Sequence, residues 1–191
     1  MQPPEPSTSG APSELPAAIA AWRDDVLGRR QEFRVGLVDA LWTQRYAVAI
    51  DDLDPSYFDE AAARSRGLRG LVAPPNYIAT QRAAALPGPA ESLMRSDGLP
   101  QESGPPVKGL AAMGGGQEFE FKSPVYCGET IVGDKEIVQV EPRAGRSGAM
   151  VVVVEQIRYF NADDGEHKLT LLNTVLYRLL DPADSAEPAR A

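Results

Sequence analysis

The run "AMVVVVEQIRYFN", residues 149–161, constrains the fold more than any other stretch of this chain. Four consecutive valines followed by Ile157, Tyr159 and Phe160 favour an extended backbone, because branched and aromatic side chains fit a pleated surface. The next residues are "ADDG", and an Asp-Gly pair between two apolar runs signals a tight hairpin turn. "HKLTLLNTVLYRLL", residues 167–180, then reads as the returning partner strand. Upstream, "ETIVGDKEIVQVEP" is a further strand, and "GQEFEFKSPV" alternates Phe119 and Phe121 with charged neighbours, the period of a half-buried strand.

The first half has a different texture. Residues 15 to about 84 are rich in Ala, Arg and Leu and read as helical. "LPAAIAAWRDDVLG" places Pro16 at a helix start, Ile19, Trp22 and Val26 on one side, and Gly28 as a stop. "DALWTQRYAVAI" predicts a second helix with Asp39 as its N-cap. "DPSYFDEAAARSRG" predicts a third, ending at Gly67. "APPNYIATQRAAAL" predicts a fourth, with Pro74 and Pro75 in its first turn and an Ala-rich body small enough to be buried. Helices followed by an antiparallel meander define an α+β domain.

At 191 residues the chain has room for one domain or two small ones, and 43% hydrophobic residues suffice for a buried core. Residues 1–14 and 181–191 are Pro- and Ser- or Ala-rich with little to bury, so they are expected to be disordered tails around a domain spanning 15–180. The net charge of −8, with basic residues scattered and Arg29-Arg30 the densest spot, argues against a nucleic-acid partner. No apolar run is long enough to span a bilayer, and the basic-then-apolar order of a signal peptide is missing. One cysteine, Cys127, and one histidine, His167, leave no multi-cysteine or two-histidine site, so no metal is expected and no cofactor is called for. The chain reads as an acidic, soluble, cytoplasmic protein.

"IDDLDPSYFDE", residues 50–60, concentrates acids around a turn proline. Read by its residues alone, it is a polar helix end running into a new N-cap at Asp54 ahead of Pro55. A divalent-cation site is disfavoured, because nothing else assembles to ligate it. Core packing with a satisfied hydroxyl is the ordinary role for Tyr57, and core positions are the ordinary role for Trp22 and Trp42. Cys127 has no neighbouring base, His167 belongs to the predicted hairpin, and "MGGGQ" lacks the Lys-Ser/Thr of a phosphate cradle and reads as a flexible entry to the sheet.

Two stretches carry a resemblance to a known family. "RYAVAIDDLDPSYFDEAAARSRGLRGLVAPPNY" and "GGGQEFEFKSPVYCGETIVGDKEIVQVEPRAGRSGAMVVVVEQIRYFNADDGE", the latter with a Pro-Val-x-x-Gly-Glu-Thr element at Pro124–Thr130, resemble MaoC-like (R)-specific enoyl-CoA hydratases and 3-hydroxyacyl-thioester dehydratases. The resemblance runs from about Glu32 to Arg178 and is nearest the N-terminal, FAS1-like dehydratase branch. It implies a single hot-dog domain, an antiparallel sheet wrapped around a central helix. It also implies addition of water across the 2,3 double bond of an acyl thioester, or the reverse. In that family an Asp and a His in a Gly-Asp-x-Asn-Pro-x-His signature activate the water. A glycine amide at the start of the central helix polarises the thioester carbonyl, a task that suits free N–H groups and the helix dipole.

Laid on that signature, Tyr46 takes the aromatic position and Ile50 the aliphatic one. Asp51 replaces the glycine, Asp52 matches the catalytic Asp, Asp54 replaces the Asn, Pro55 is kept, and Tyr57 replaces the His. A phenol with a reference pKa of about 10 donates a hydrogen bond but is a poor base near neutral pH. Pro75 of "LVAPPNY" falls on the oxyanion glycine and has no N–H, so Asn76 and Tyr77 would have to supply any carbonyl polarisation. Asp52 and Tyr57 are therefore degenerate catalytic positions, and Pro75, Asn76 and Tyr77 the candidate substrate-binding ones.

The resemblance implies the non-catalytic half of a paired hot-dog enzyme, which shapes the acyl tunnel while a partner hot-dog chain supplies Asp, His and the glycine amide. The thioester would be acyl-CoA or an acyl carrier protein's. Two other readings stand beside it: a stand-alone homodimeric hydratase using Asp52, and a non-enzymatic hot-dog protein that holds an acyl thioester. The Pro-, Gly- and Ser-rich residues 85–107 read either as a protruding spacer or, preferably, as a flap over the tunnel, since long ordered loops in compact domains tend to be functional.

Overall fold

A computed structural model describes residues 14–84, 104, 105, 107, 110–145 and 148–179. The expected N-terminal tail up to residue 13, most of the expected 85–107 flap and the tail from 181 lie outside the described residues. The elements run α1 (Ala17–Val26), β1 (Arg30–Leu37), α2 (Ala40–Ala49), α3 (Glu60–Ser65), α4 (Tyr77–Ala84), β2 (Leu110–Phe121), β3 (Thr130–Gly145), β4 (Gly148–Asn161) and β5 (His167–Leu179), with a 3-10 turn at Pro55–Tyr57. The fold is α+β: one antiparallel five-stranded sheet in the order β1-β3-β4-β5-β2, with helices packed on it.

Only β3, β4 and β5 form the expected meander. β2 does not pair with its neighbour in sequence; it crosses to the outside of β5, pairing Leu110 with Leu179 through Phe121 with Leu169. β1 takes the opposite edge, pairing Arg30 with Glu136 through Leu37 with Thr130. The helical reading of residues 15–84 therefore needs a strand inserted between the first two helices. Its sequence hides it, because an edge strand exposed on most positions offers only Phe33 and Val35 as an alternating signal.

Local chemistry explains the helix boundaries. The Asp39 carboxylate accepts from Trp42 N–H at 3.1 Å and caps α2, an arrangement worth about 1 kcal/mol. The third predicted helix divides in two: Asp54 caps the 3-10 turn through Ser56 N–H, and Asp59 caps α3 through Ala61 and Ala62 N–H. The Gly-rich stretch is not a flexible entry but the middle of β2. Gly115 lies so close to β5 that a Cβ would stand 2.8 Å from Thr174 Cγ2.

One face of the sheet carries two apolar clusters. Ile131, Ile157, Tyr159, Leu169 and Leu171 pack against Tyr77 and Ile78, which open α4. Val140, Val151, Val153 and Tyr177 pack against Ile19 and Trp22 of α1. Between the clusters runs a polar row in which Lys135 faces Glu155 at 3.8 Å, Asn173 donates to Glu155 at 3.1 Å and Gln117 donates to Asn173 at 3.1 Å. The alternation of β4 and β5 puts Glu155 and Asn173 on the same face as the valines and leucines, so each must be paired to lie there.

Candidate functional site

Asp52 and Tyr57 are brought together by the way α2 ends. Asp51 N–H donates to Val48 C=O and Asp52 N–H to Ala47 C=O, the paired bonds of a Schellman cap. The cap needs one residue at positive φ, and Asp51 takes it at φ 57° where glycine is usual. The chain then reverses through Asp54 and Pro55, which returns Tyr57 toward α2. Tyr57 O–H donates to Asp52 Oδ2 at 3.1 Å, and Gln44 Nε2 donates to Tyr57 C=O at 3.2 Å. Asp54 is occupied elsewhere: Arg66 Nη1 donates to both its oxygens at 2.5 and 2.6 Å.

The electrostatics follow. Burial pushes the Tyr57 phenol up, and its hydrogen bond to the Asp52 carboxylate adds to the effect, to about 12. The Arg66 guanidinium, helped by Ser56 N–H, holds Asp54 down at about 2. At neutral pH Tyr57 is a fixed hydrogen-bond donor facing a carboxylate.

The predicted substrate-binding residues divide. Tyr77 is 4% exposed and its ring meets Tyr46 edge-on at 5.4 Å, so its side chain belongs to the core; burial raises its phenol as well. Its N–H is taken by Pro74 C=O at 2.9 Å. Asn76 is exposed, and its N–H meets no protein acceptor among the described residues. Pro75 lines a cleft of about 420 Å³, the size of a small-molecule site. Tyr57, Val72, Ala73, Phe121, Val125 and Leu169 line the same cleft. Asp52, Asn76 and Tyr77 do not line it; Asp52 is reached only through the Tyr57 hydroxyl.

A buried ionic cluster, missed by sequence reasoning, holds one wall in place. Glu129 is 6% exposed and accepts from Tyr126 N–H, Lys168, Asn161 and Arg69. Lys168, 1% exposed, also donates to Pro124 C=O at 3.0 Å and to Glu166 at 2.5 Å. The clamped segment bonds to the cleft wall, Ala73 N–H to Val125 C=O and Cys127 N–H to Leu71 C=O. The one available signal was Glu129 within the Pro-Val-x-x-Gly-Glu-Thr element; nothing local announces that Lys168 reaches it from β5. His167 is remote from Tyr57 in the chain, stacked on Phe160 at 4.9 Å and bonded to Thr170 Oγ1 at 3.0 Å. Cys127 is half-buried, and burial raises its thiol.

A five-stranded antiparallel sheet folded against an Ala-rich helix, with a cleft beside that helix's first turn, defines a hot-dog protein of the MaoC-like kind. Residues 34–168 match the family described as "FAS1-like, dehydratase domain region", and the chain belongs to that family of hydratases and dehydratases. Solved structures share the fold. The HadBC (3R-hydroxyacyl-ACP dehydratase) complex of Mycobacterium tuberculosis is 23% identical, with 80% of this chain and 97% of that chain covered and a TM-score of 0.58. The ChsH1-ChsH2 complex of the same organism is 22% identical, with 91% and 96% covered and a TM-score of 0.62. A MaoC-like dehydratase from Rhodospirillum rubrum is 22% identical, with 83% and 97% covered and a TM-score of 0.60. A comparison with curated protein sequences finds no match.

Proposed function

We propose that this chain is the non-catalytic, tunnel-forming subunit of a heteromeric (R)-specific 2-enoyl-thioester hydratase or 3-hydroxyacyl-thioester dehydratase. One observation carries the reading: Tyr57 and Pro75, the two departures that replace the signature's base and its oxyanion amide, line the same cleft. Where the signature places a base, a phenol held protonated points its hydrogen at Asp52. Where it places an amide, there is a proline. A partner hot-dog chain would supply the Asp–His pair that activates water for attack at C3 and the N–H that polarises the thioester carbonyl. This chain would supply apolar walls that bind the acyl group and exclude water. The fold likeness to HadBC and ChsH1-ChsH2, both solved as complexes, supports a paired assembly. So does the β2 edge, whose segment Leu110–Phe119 carries no Lys or Pro to discourage strand pairing.

The retained Asp52 and its 3.1 Å contact with Tyr57 favour a second reading, a stand-alone hydratase. Hydration of a short 2-enoyl-CoA separates the two. The expected result is no turnover by the purified chain, turnover with a hot-dog partner bearing an intact Asp-x-Asn-Pro-x-His, and little effect of Asp52→Asn on the complex. Turnover by the chain alone that Asp52→Asn abolishes would overturn the subunit reading.

A further inference from the structure

The outer face of α2 is largely apolar and exposed among the described residues. Leu41, Arg45 and Val48 fall on one stripe at i, i+4 and i+7, with Trp42 beside them. Trp42 is 59% exposed and Val48 60%, and Leu37, Leu41, Ile50 and Leu53 are each about half exposed or more. Together these six side chains present on the order of 600 Å² of apolar surface, the upper end of what a monomer leaves in contact with water.

The charges on this face are arranged about its middle. Arg45 leans over the Trp42 ring at 5.0 Å and has no ion-pair partner among the described residues. Beyond Val48, at the end of the helix, Asp51 has no cationic partner there either, and Asp52 receives only the Tyr57 hydroxyl. The negative end of the α2 dipole lies on the same side.

We infer that this face is a self-complementary docking surface for a second copy of the chain, formed by antiparallel packing of two α2 helices about a two-fold axis beside Val48. In that arrangement Val48 meets its counterpart and Trp42 packs on Leu53 of the other copy. Arg45 reaches the Asp51–Asp52 end, and each contact occurs twice, as an isologous interface requires. Two such faces would bury on the order of 1,200 Å², enough for a stable contact. The contact leaves the β2 edge free for a different chain.

Sedimentation equilibrium of the full chain by itself tests this. Wild type is expected to be a dimer. Arg45→Asp and Asp51→Lys each place like charges across the axis, and each should raise the dissociation constant about tenfold or more. An equimolar mixture of the two variants should dimerise again, because every swapped charge then meets its opposite. Val48→Glu should dissociate the dimer through the apolar centre, with circular dichroism confirming that each variant is folded. A monomeric wild type, a dimer indifferent to all three substitutions, or a mixture that stays monomeric would each overturn the inference. So would shielding of Trp42 fluorescence only when a catalytic hot-dog chain is added, which would assign the face to that chain.

Discussion

At Tyr57, burial and the Asp52 carboxylate act in the same direction, and both keep the phenol protonated. A group whose folded pKa lies above its ordinary 10.0 stabilises the fold fully below pH 10 and loses that contribution as pH rises through about 12. Ultraviolet difference titration of wild type against Tyr57→Phe should reveal one tyrosine ionising near 12, and Asp52→Asn should bring it down. Asp54 has the opposite sign. Its folded pKa of about 2 lies below the ordinary 3.8, so its contribution is present above pH 4 and lost as pH falls toward 2. Carbon-detected titration of Asp54 should show this pKa in wild type and a return toward 3.8 in Arg66→Ala. Neither shift was legible from the residues alone, because Arg66 lies twelve positions from the carboxylate it holds and the burial of Tyr57 is set by the fold.

At the scale of elements, the loop that carries the site hangs on the end of α2. Asp51 occupies a left-handed backbone position that disfavours side chains with a Cβ, so Asp51→Gly should stabilise the chain by about 1 kcal/mol, read as a higher urea midpoint. Gly133 in β3 is the reverse case. The Phe33 ring crosses it on the way to an edge contact with Tyr159, and a Cβ there would stand 2.6 Å from Phe33 Cζ. Gly133→Ala should lower stability by about 1–3 kcal/mol, measured by the same unfolding. The caps at Asp39 and Asp54 were readable because a capping carboxylate acts within three residues. β1 was not, because its pairing with β3 joins residues roughly a hundred positions apart.

Across the whole molecule, the Glu129–Lys168 cluster ties the turn before β3, the end of β4 and the start of β5 to the segment that lines the cleft. Both groups are buried, so removing one strands the other. Lys168→Met should destabilise by about 3 kcal/mol or more, with Glu129→Gln in the same background restoring part of the loss in thermal or urea unfolding. Trp42 carries the lesson in the other direction. An aromatic residue reads as core, yet here it stands outside, because α2 turns Thr43 and Ala47 inward.

Period and turn chemistry determined, within the sequence itself, the four helices, the three long C-terminal strands and the Asp-Gly hairpin, and the quoted motifs carried the family resemblance. They also showed that Tyr57 and Pro75 depart from its signature, because each of these signals is written in consecutive residues. Only the tertiary structure decided that β2 crosses to the far edge, that Tyr57 and Pro75 line one cleft, and that Tyr77 belongs to the core. It alone decided that Lys168 clamps Glu129 and that α2 turns Leu41, Trp42 and Val48 outward. Each of these depends on contacts between residues far apart in the chain, and their partners are chosen by packing rather than by neighbours in sequence.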